Sequence, residues 1–303
     1  MQVAFLGTSE YAASVLRRLG GSPHELTLAM TPPDRPRGRG RRLSSPPAAE
    51  VARELGVELL QTGSVNDPEA FERLRAAEPD VAVVCAFGQL IREPLLSELE
   101  LLNVHPSLLP RWRGAAPIER AIMAGDEETG VTIMRVTAGL DSGPITLQER
   151  MAIAPDDDFG SLSARLAELG GELIVSALDL RAAGELSFTE QDDSRATYAE
   201  KIAPSERRLD PGRPAVELER VVRALTPHIG AFLELDGGAR LGVREAFAED
   251  GAAPAGDVRV DDGSLLLGCG RGLLRLAVLQ PPGRRPMPAD AYLRGHAAPR
   301  LAV

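Results

Sequence analysis

Short apolar runs alternate with segments of helical spacing over the first half of the chain. "VAFLG" (3–7) is an apolar run ended by glycine, and "YAASVLRRL" (11–19) gathers its apolar residues on one helical face. A second strand is predicted at "LTLAM" (26–30), a helix at "AAEVAREL" (48–55) and a third strand at "VELLQ" (57–61). Pro68 opens another helix, "PEAFERLRAAE". "DVAVVCAFG" (80–88) is the most hydrophobic segment and fits a central parallel strand buried on both faces. "LLNVH" (101–105) reads as a further strand. Strands alternating with helices predict an α/β fold, an open, twisted, mostly parallel sheet with right-handed crossovers.

The pattern then changes. "GVTIMRVTAGLDSGPI" (130–145) and "TLQERMAIA" (146–154) read as the two arms of a hairpin. Residues 159–184 show a long helical pattern that Gly170-Gly171 is expected to break. Residues 185–205 are polar, contain Pro204 and read as a linker. One helix follows at "AVELERVVRAL" (215–225). Beyond it, short strands are separated by Asp-Gly turns, as in "AFLELDGGARLGV" and "VRVDDGSLLLG", a strong hairpin sign. The C-terminal part is therefore expected to be a small β-barrel or half-barrel (OB-like). The expected division is a first domain over 1–186, a linker over 187–206 and a β-rich domain over 207–303.

Composition narrows the class. With 303 residues and 44% apolar content the chain has length for about two domains and a sizeable core. Its two cysteines, Cys85 and Cys269, lie far apart and form no CxxC pair. Neither a disulfide framework nor a metal site is expected, and reduced cytoplasmic thiols are the plain reading. "MQVAFLG" starts directly as a strand, so no signal peptide is expected, and the apolar runs are too short to span a bilayer. The formal net charge is -10. Residues 207–303 nevertheless carry 14 arginines against 12 Asp and Glu, which weakly favours an anionic partner on the small domain.

One stretch defies the acidic balance. "PPDRPRGRGRRLSSPP" (32–47) packs Arg35, Arg37, Arg39, Arg41 and Arg42 among Gly and Pro. Nothing in it can serve as core, so a protruding loop suited to phosphate contacts is expected. The bland alternative is a solvated loop with no partner.

The chemistry candidates cluster at "LLNVHPSLLPRW". In a strand, Asn103 and His105 face the same side. At the carboxyl end of a parallel sheet they would share a cleft. Asp141, in "TAGLDSGPI", sits between Gly139 and Gly143 where the backbone can bend sharply. An Asx turn is the bland reading of Asp141, and a satisfied structural histidine that of His105. If the three meet, they can perform acyl transfer to an amine, which needs no enzyme nucleophile, only oxyanion donors and a proton relay. Ser107 lacks a G-x-S-x-G elbow, so a serine hydrolase is not expected. "GTSEYA" has one glycine where a dinucleotide fingerprint needs three.

"NVHPSLLPRWRGAAPI" followed by "GDEETGVTIMRVTAGLDSGPI" resembles the formyltransferases that use 10-formyltetrahydrofolate. The likeness runs the whole length, through "FLGTSEYAASVL", "TPPDRPRGRGRRL", "YAEKI" (198–202) and "LQPPGRRPM" (279–287). It is nearest to the branch acting on methionyl initiator tRNA, because the Arg-rich loop and the small β-domain are more specific to that branch. The resemblance implies a Rossmann-like catalytic domain in which Asn103 and His105 hold the formyl oxygen. Asp141 would orient His105 and help move the amine proton. Ser107, Leu108, Leu109 and Pro110 match the folate-binding stretch, with Phe87, Gly88 and Gln89 as secondary candidates. The five loop arginines, Arg39 first among them, would contact the acceptor stem of initiator methionyl-tRNA, and the C-terminal domain would hold that tRNA. The expected protein is a cytoplasmic monomer with no metal. A sibling formyltransferase acting on a glycinamide ribonucleotide or an amino sugar nucleotide is the nearest rival. A non-catalytic tRNA-binding protein on the same scaffold is the other. Two departures, "RRLDPGRP" without an aromatic after "LD" and "RALTPHIGAFLEL" without a Trp, touch the C-terminal domain only.

Overall fold

A computed structural model describes residues 1–37 and 42–302, which form two compact units. The first comprises 1–117, 128–152 and 163–199, and the second 118–127, 153–162 and 200–303.

The chain opens with β1 (Gln2–Gly7), α1 (Glu10–Gly20), β2 (Glu25–Thr31), β3 (Arg35–Arg37), β4 (Arg42–Ser44), α2 (Pro47–Glu54) and β5 (Leu59–Gln61). It continues through α3 (Pro68–Ala76), β6 (Val81–Cys85), α4 (Leu95–Glu98), β7 (Leu101–His105) and β8 (Arg113–Gly114). Then come α5 (Pro117–Ala124), β9 (Glu128–Arg135), β10 (Ile145–Ala152), α6 (Phe159–Ala183) and β11 (Tyr198–Ala199). Seven strands form one sheet in the order β10-β9-β7-β6-β1-β2-β5. Strands β7 to β5 run parallel, and β9 and β10 are antiparallel additions at one edge. Val3–Leu6 of β1 and Val81–Val83 of β6 are fully buried, as central strands covered on both faces require. Strand order reverses at β1, with β2 on one side and β6 on the other, so a crevice is expected at the carboxyl ends there.

Three details differ from the sequence reading. The central strand stops at Cys85, because Ala86 and Gly88 take positive φ (43° and 73°) and turn the chain. The first hairpin arm ends at Arg135, and 136–144 is the loop that carries Asp141. Helix α6 is not broken at Gly170-Gly171 but runs from Phe159 to Ala183. The glycines serve close packing: a Cβ on Gly170 would lie 2.8 Å from Tyr11 Oη and 2.9 Å from Val104 Cγ1, and one on Gly171 2.8 Å from Arg18 Cβ.

The second unit adds α7 (Ala215–Leu225), β12 (Ala231–Glu234), β13 (Arg240–Glu249), β14 (Val258–Asp261), β15 (Ser264–Gly268), β16 (Leu273–Gln280), β17 (Met287–Pro288) and α8 (Ala289–Leu293). The strands make an antiparallel, barrel-like sheet along β12-β13-β16-β15-β14, with β17 joined to β16. Alternating Leu265, Leu267, Leu274 and Leu276 face Leu218, Val222 and Leu225 of α7 in one core. The Asp262-Gly263 turn between β14 and β15 has positive φ at both positions (44° and 75°), the type I′ geometry that Asp-Gly favours. No described helix is long and apolar enough to cross a membrane.

Candidate active site

The carboxyl ends of β6 and β7 open into a cleft of about 490 Å³ within the first unit. Asn103, His105 and Asp141 all line it, with Phe87, Leu90 and Val136 among its apolar walls. Its size and mostly apolar lining are those of a small-molecule site. Alternation along β7 puts Asn103 and His105 on one side, as the i, i+2 spacing predicts.

Asp141 folds back to meet both. Its Oδ1 accepts from Asn103 Nδ2 at 3.3 Å, and its Oδ2 accepts from the Gly114 N–H at 2.9 Å. The same Oδ2 lies 3.8 Å from His105 Nδ1. On the other side of the ring, His105 Nε2 is 2.9 Å from the Trp112 carbonyl. A carbonyl oxygen only accepts, so Nε2 carries the proton and Nδ1 of the neutral ring is the acceptor nearest Asp141. His105 is buried, which restricts the ring to this orientation.

The backbone around the cleft is held in costly conformations. Ala86, Trp112 and Asp141 have φ of 43°, 63° and 45°, each outside the regions a side chain prefers. Such residues cost about 1–3 kcal/mol each and persist where surrounding contacts over-determine them. Gly114 is required as glycine: its φ is 120°, and a Cβ would sit 2.8 Å from the Ala199 carbonyl.

The other expected site residues divide. Phe87, Gly88 and Gln89 line the cleft. The Gln89 side chain is already engaged, accepting from the Val65 N–H at 2.7 Å and donating to the Thr62 carbonyl at 3.3 Å. Ser107, Leu108, Leu109 and Pro110 lie away from the lining. Ser107 is fully buried and donates to the Arg111 carbonyl at 2.6 Å. Thr132 Oγ1 donates to the Ser107 carbonyl at 2.7 Å and accepts from the Leu109 N–H at 3.2 Å. Strands β3 and β4 pair Arg35 with Ser44 and Arg37 with Arg42, so the ends of the arginine-rich stretch form a ribbon, with Arg35 exposed. Arg39 and Arg41 lie outside the described residues. Arg37 and Arg42 are described by their backbone.

Sequence reasoning missed Gln191 and Arg113. Gln191, in the stretch read as linker, donates through Nε2 to the carbonyls of Asp141 (2.9 Å) and Gly143 (2.7 Å). Its Oε1 accepts from Arg113 Nε (3.0 Å) and Nη2 (2.8 Å). Only the tertiary pairing reveals them, since a glutamine in a polar stretch carries no periodic signal.

Residues 1–178 match the family described as Formyl transferase, and residues 201–297 match Formyl transferase, C-terminal domain. The chain belongs to the formyl transferase family. Among formyl transferases, the methionyl-tRNA formyltransferase of Methylococcus capsulatus is 45% identical over 301 residues, covering 98% of this chain and 97% of its own. That of Phenylobacterium zucineum is 43% identical over 99% of this chain and 98% of its own. Glycinamide ribonucleotide transformylase 1 from Symbiobacterium toebii is similar in structure, with a TM-score of 0.52 and 26% identity over 63% of this chain and 94% of its own. HypX from Aquifex aeolicus, solved with tetrahydrofolic acid, has a TM-score of 0.66 at 18% identity and shares the fold. This formyl transferase covers 47% of that longer chain.

Proposed function

We propose that the chain transfers the formyl group of 10-formyltetrahydrofolate to the α-amine of methionine on initiator tRNA. The observation that carries this is the meeting of Asn103, His105 and Asp141 in one cleft, in a chain 45% identical over nearly its full length to a methionyl-tRNA formyltransferase. The apolar cleft suits the flat ring of the folate, and Phe87, Gly88 and Gln89 form one wall for it. Ser107, Leu108, Leu109 and Pro110, tied by Thr132 and outside this lining, would complete the folate-binding stretch.

The amine attacks the formyl carbon, so a C–N bond forms as the bond from carbon to the folate nitrogen breaks. Asn103 uses one N–H on Asp141 and keeps its second for the formyl oxygen as it becomes an oxyanion. His105 Nδ1, with Nε2–H committed to Trp112, accepts the amine proton. The protonated ring then donates to the oxyanion and returns the proton to the departing folate nitrogen. The Asp141 carboxylate balances the ring's charge from 3.8 Å. The proton lost by the amine is the one gained by tetrahydrofolate, and nothing is oxidised.

Residues 1–186 would carry the chemistry and 207–303 would hold the tRNA, joined through 187–206. The arginines of the β3–β4 ribbon and its connecting residues, Arg35 to Arg42, would reach the acceptor stem. The protein would act as a cytoplasmic monomer. A glycinamide ribonucleotide transferase is disfavoured because that enzyme leaves more than a third of this chain without a counterpart, whereas the methionyl-tRNA formyltransferases match nearly all of it at 43–45% identity. The experiment supplies charged initiator tRNA, a glycinamide ribonucleotide or an amino sugar nucleotide in parallel with the folate. Formyl-methionine in the first reaction alone is the expected result. Formylation of either nucleotide instead would sink the assignment.

A further inference from the structure

We propose that Gln191, oriented by Arg113, is the positioning residue that sets Asp141 in the cleft, and that the β8–β11 pair is the frame on which both are mounted. The inference rests on the formyl-transfer reading above.

Asp141 sits in a loop flanked by Gly139 and Gly143 with a φ of 45°, so its own backbone does not favour the observed position. External ties must hold it. Gln191 supplies two, because its Nε2 gives both hydrogens to carbonyls of that loop, those of Asp141 and Gly143. Its orientation is determined. Oε1 faces two N–H groups of Arg113, and reversing the amide would set donors against donors on one side and an oxygen against carbonyls on the other. Arg113 is 3% exposed and is pinned in turn by Asp193 at 2.7 Å. A buried guanidinium is tolerated only when paired and hydrogen-bonded, so its place depends on Gln191 and Asp193.

The same short strand and the residue before it serve the other reacting groups. The Trp112 carbonyl receives His105 Nε2–H, and the Gly114 N–H donates to the Asp141 carboxylate. The stretch 189–199 fixes this strand. Thr197 accepts from the N–H of Trp112 through Oγ1 and from that of Arg113 through its carbonyl, both at 2.9 Å. At its other end Thr189 pairs with Ile145, just past the Asp141 loop. Three consecutive residues, 112 to 114, thus index His105, the backbone of Asp141 and the carboxylate of Asp141.

The test is a double-mutant cycle on formylation of methionyl initiator tRNA. Gln191→Glu keeps the shape and the Arg113 tie but removes both donors to the loop. It is expected to lower kcat by about 30- to 100-fold, the scale of a misplacement near 1 Å, with the KM for tRNA changed less than about threefold. In an Asp141→Asn background the same change should cost less than about threefold more, because Gln191 acts through Asp141. Gln191→Met, matched in length and without donors, carries the same test if the glutamate variant does not fold. Transfer by the wild type with fully multiplicative losses, or a Gln191 variant keeping more than about a third of kcat, would overturn the proposal alone. No transfer by the wild type would overturn the functional reading and this proposal with it.

Discussion

Replacing Asp141 with Asn changes one atom and tests the whole site. The carboxylate accepts from the Gly114 N–H at 2.9 Å and from Asn103 Nδ2 at 3.3 Å, and lies 3.8 Å from His105 Nδ1. An asparagine can keep its oxygen on Gly114, but its NH2 then meets the NH2 of Asn103. Asn103 must either lose that bond or turn its oxygen inward, taking its N–H away from the formyl oxygen. Losing one oxyanion donor costs about 10²–10³ in kcat, and impairing proton transfer removes part of a further 10²–10⁴. These effects act on one proton and one oxygen and do not multiply fully, so we expect a fall of about 10³-fold, or about 4 kcal/mol of transition-state stabilisation. The KM for tRNA should stay near the wild-type value, since the lost interactions belong to the transition state. Single-turnover formylation of methionyl initiator tRNA measures the step directly. An Asp141→Asn enzyme within about tenfold of the wild type would refute the assignment of Asn103 and His105 to an oxyanion and proton relay held by this carboxylate.

Two further outcomes follow from packing and charge. Gly170→Ala would normally gain about 1 kcal/mol of helix propensity, but here the Cβ meets Tyr11 Oη and Val104 Cγ1 below 3 Å, and overpacking costs about 1–3 kcal/mol. Thermal unfolding should therefore show a lowered midpoint; a raised one would mean that the glycine does not serve the contact with β7. Hydrogen bonds from Arg120 hold the Glu206 carboxyl below its ordinary value of 4.5, although partial burial opposes them. A lowered folded-state pKa adds stability above that value and loses it as pH falls through the folded one. Glu206→Gln should thus cost about 0.5–1 kcal/mol at neutral pH, a figure discounted for solvent screening, and its deficit should close as the pH is taken below 4.5. An unfolding deficit that is independent of pH would show that the ion pair is not its source.

The parts of the fold set by repeating patterns were legible in the sequence. Strands β1, β2, β6 and β7 announced themselves as apolar runs, α7 was placed to the residue, and Asp262-Gly263 marked its hairpin by the turn chemistry it favours. Asn103 and His105 were legible for the same reason, since a strand's period of two fixes which side chains share a face. Other features depend on what a residue touches. Gly170-Gly171 looks like a break until Tyr11, Arg18 and Val104 are seen to occupy the space a Cβ would need. Ser107–Pro110 directly follow a strand that ends at the cleft, but adjacency in sequence does not say which way a loop turns. Thr132, 25 residues on, ties the Ser107 carbonyl and the Leu109 N–H, and none of the four lines the cleft.

Gln191 marks the limit most sharply, and the reason is physical. Strands β8 and β11 have two residues each, too short to show any period. Their pairing joins Arg113 to Tyr198 across 85 positions, and with the Thr189–Ile145 bridge it brings Gln191 to the Asp141 loop. The division suits the chemistry. Asn103 and His105 stand on a parallel strand paired on both sides, where a shift in position would disturb the core. Asp141 stands on a strained loop, where a shift would disturb only a few hydrogen bonds. The weakest mount thus carries the group whose position the proton transfer depends on. Its precision must therefore come from the side-chain ties of Gln191 and Asn103 and the backbone tie of Gly114, all outside the loop itself.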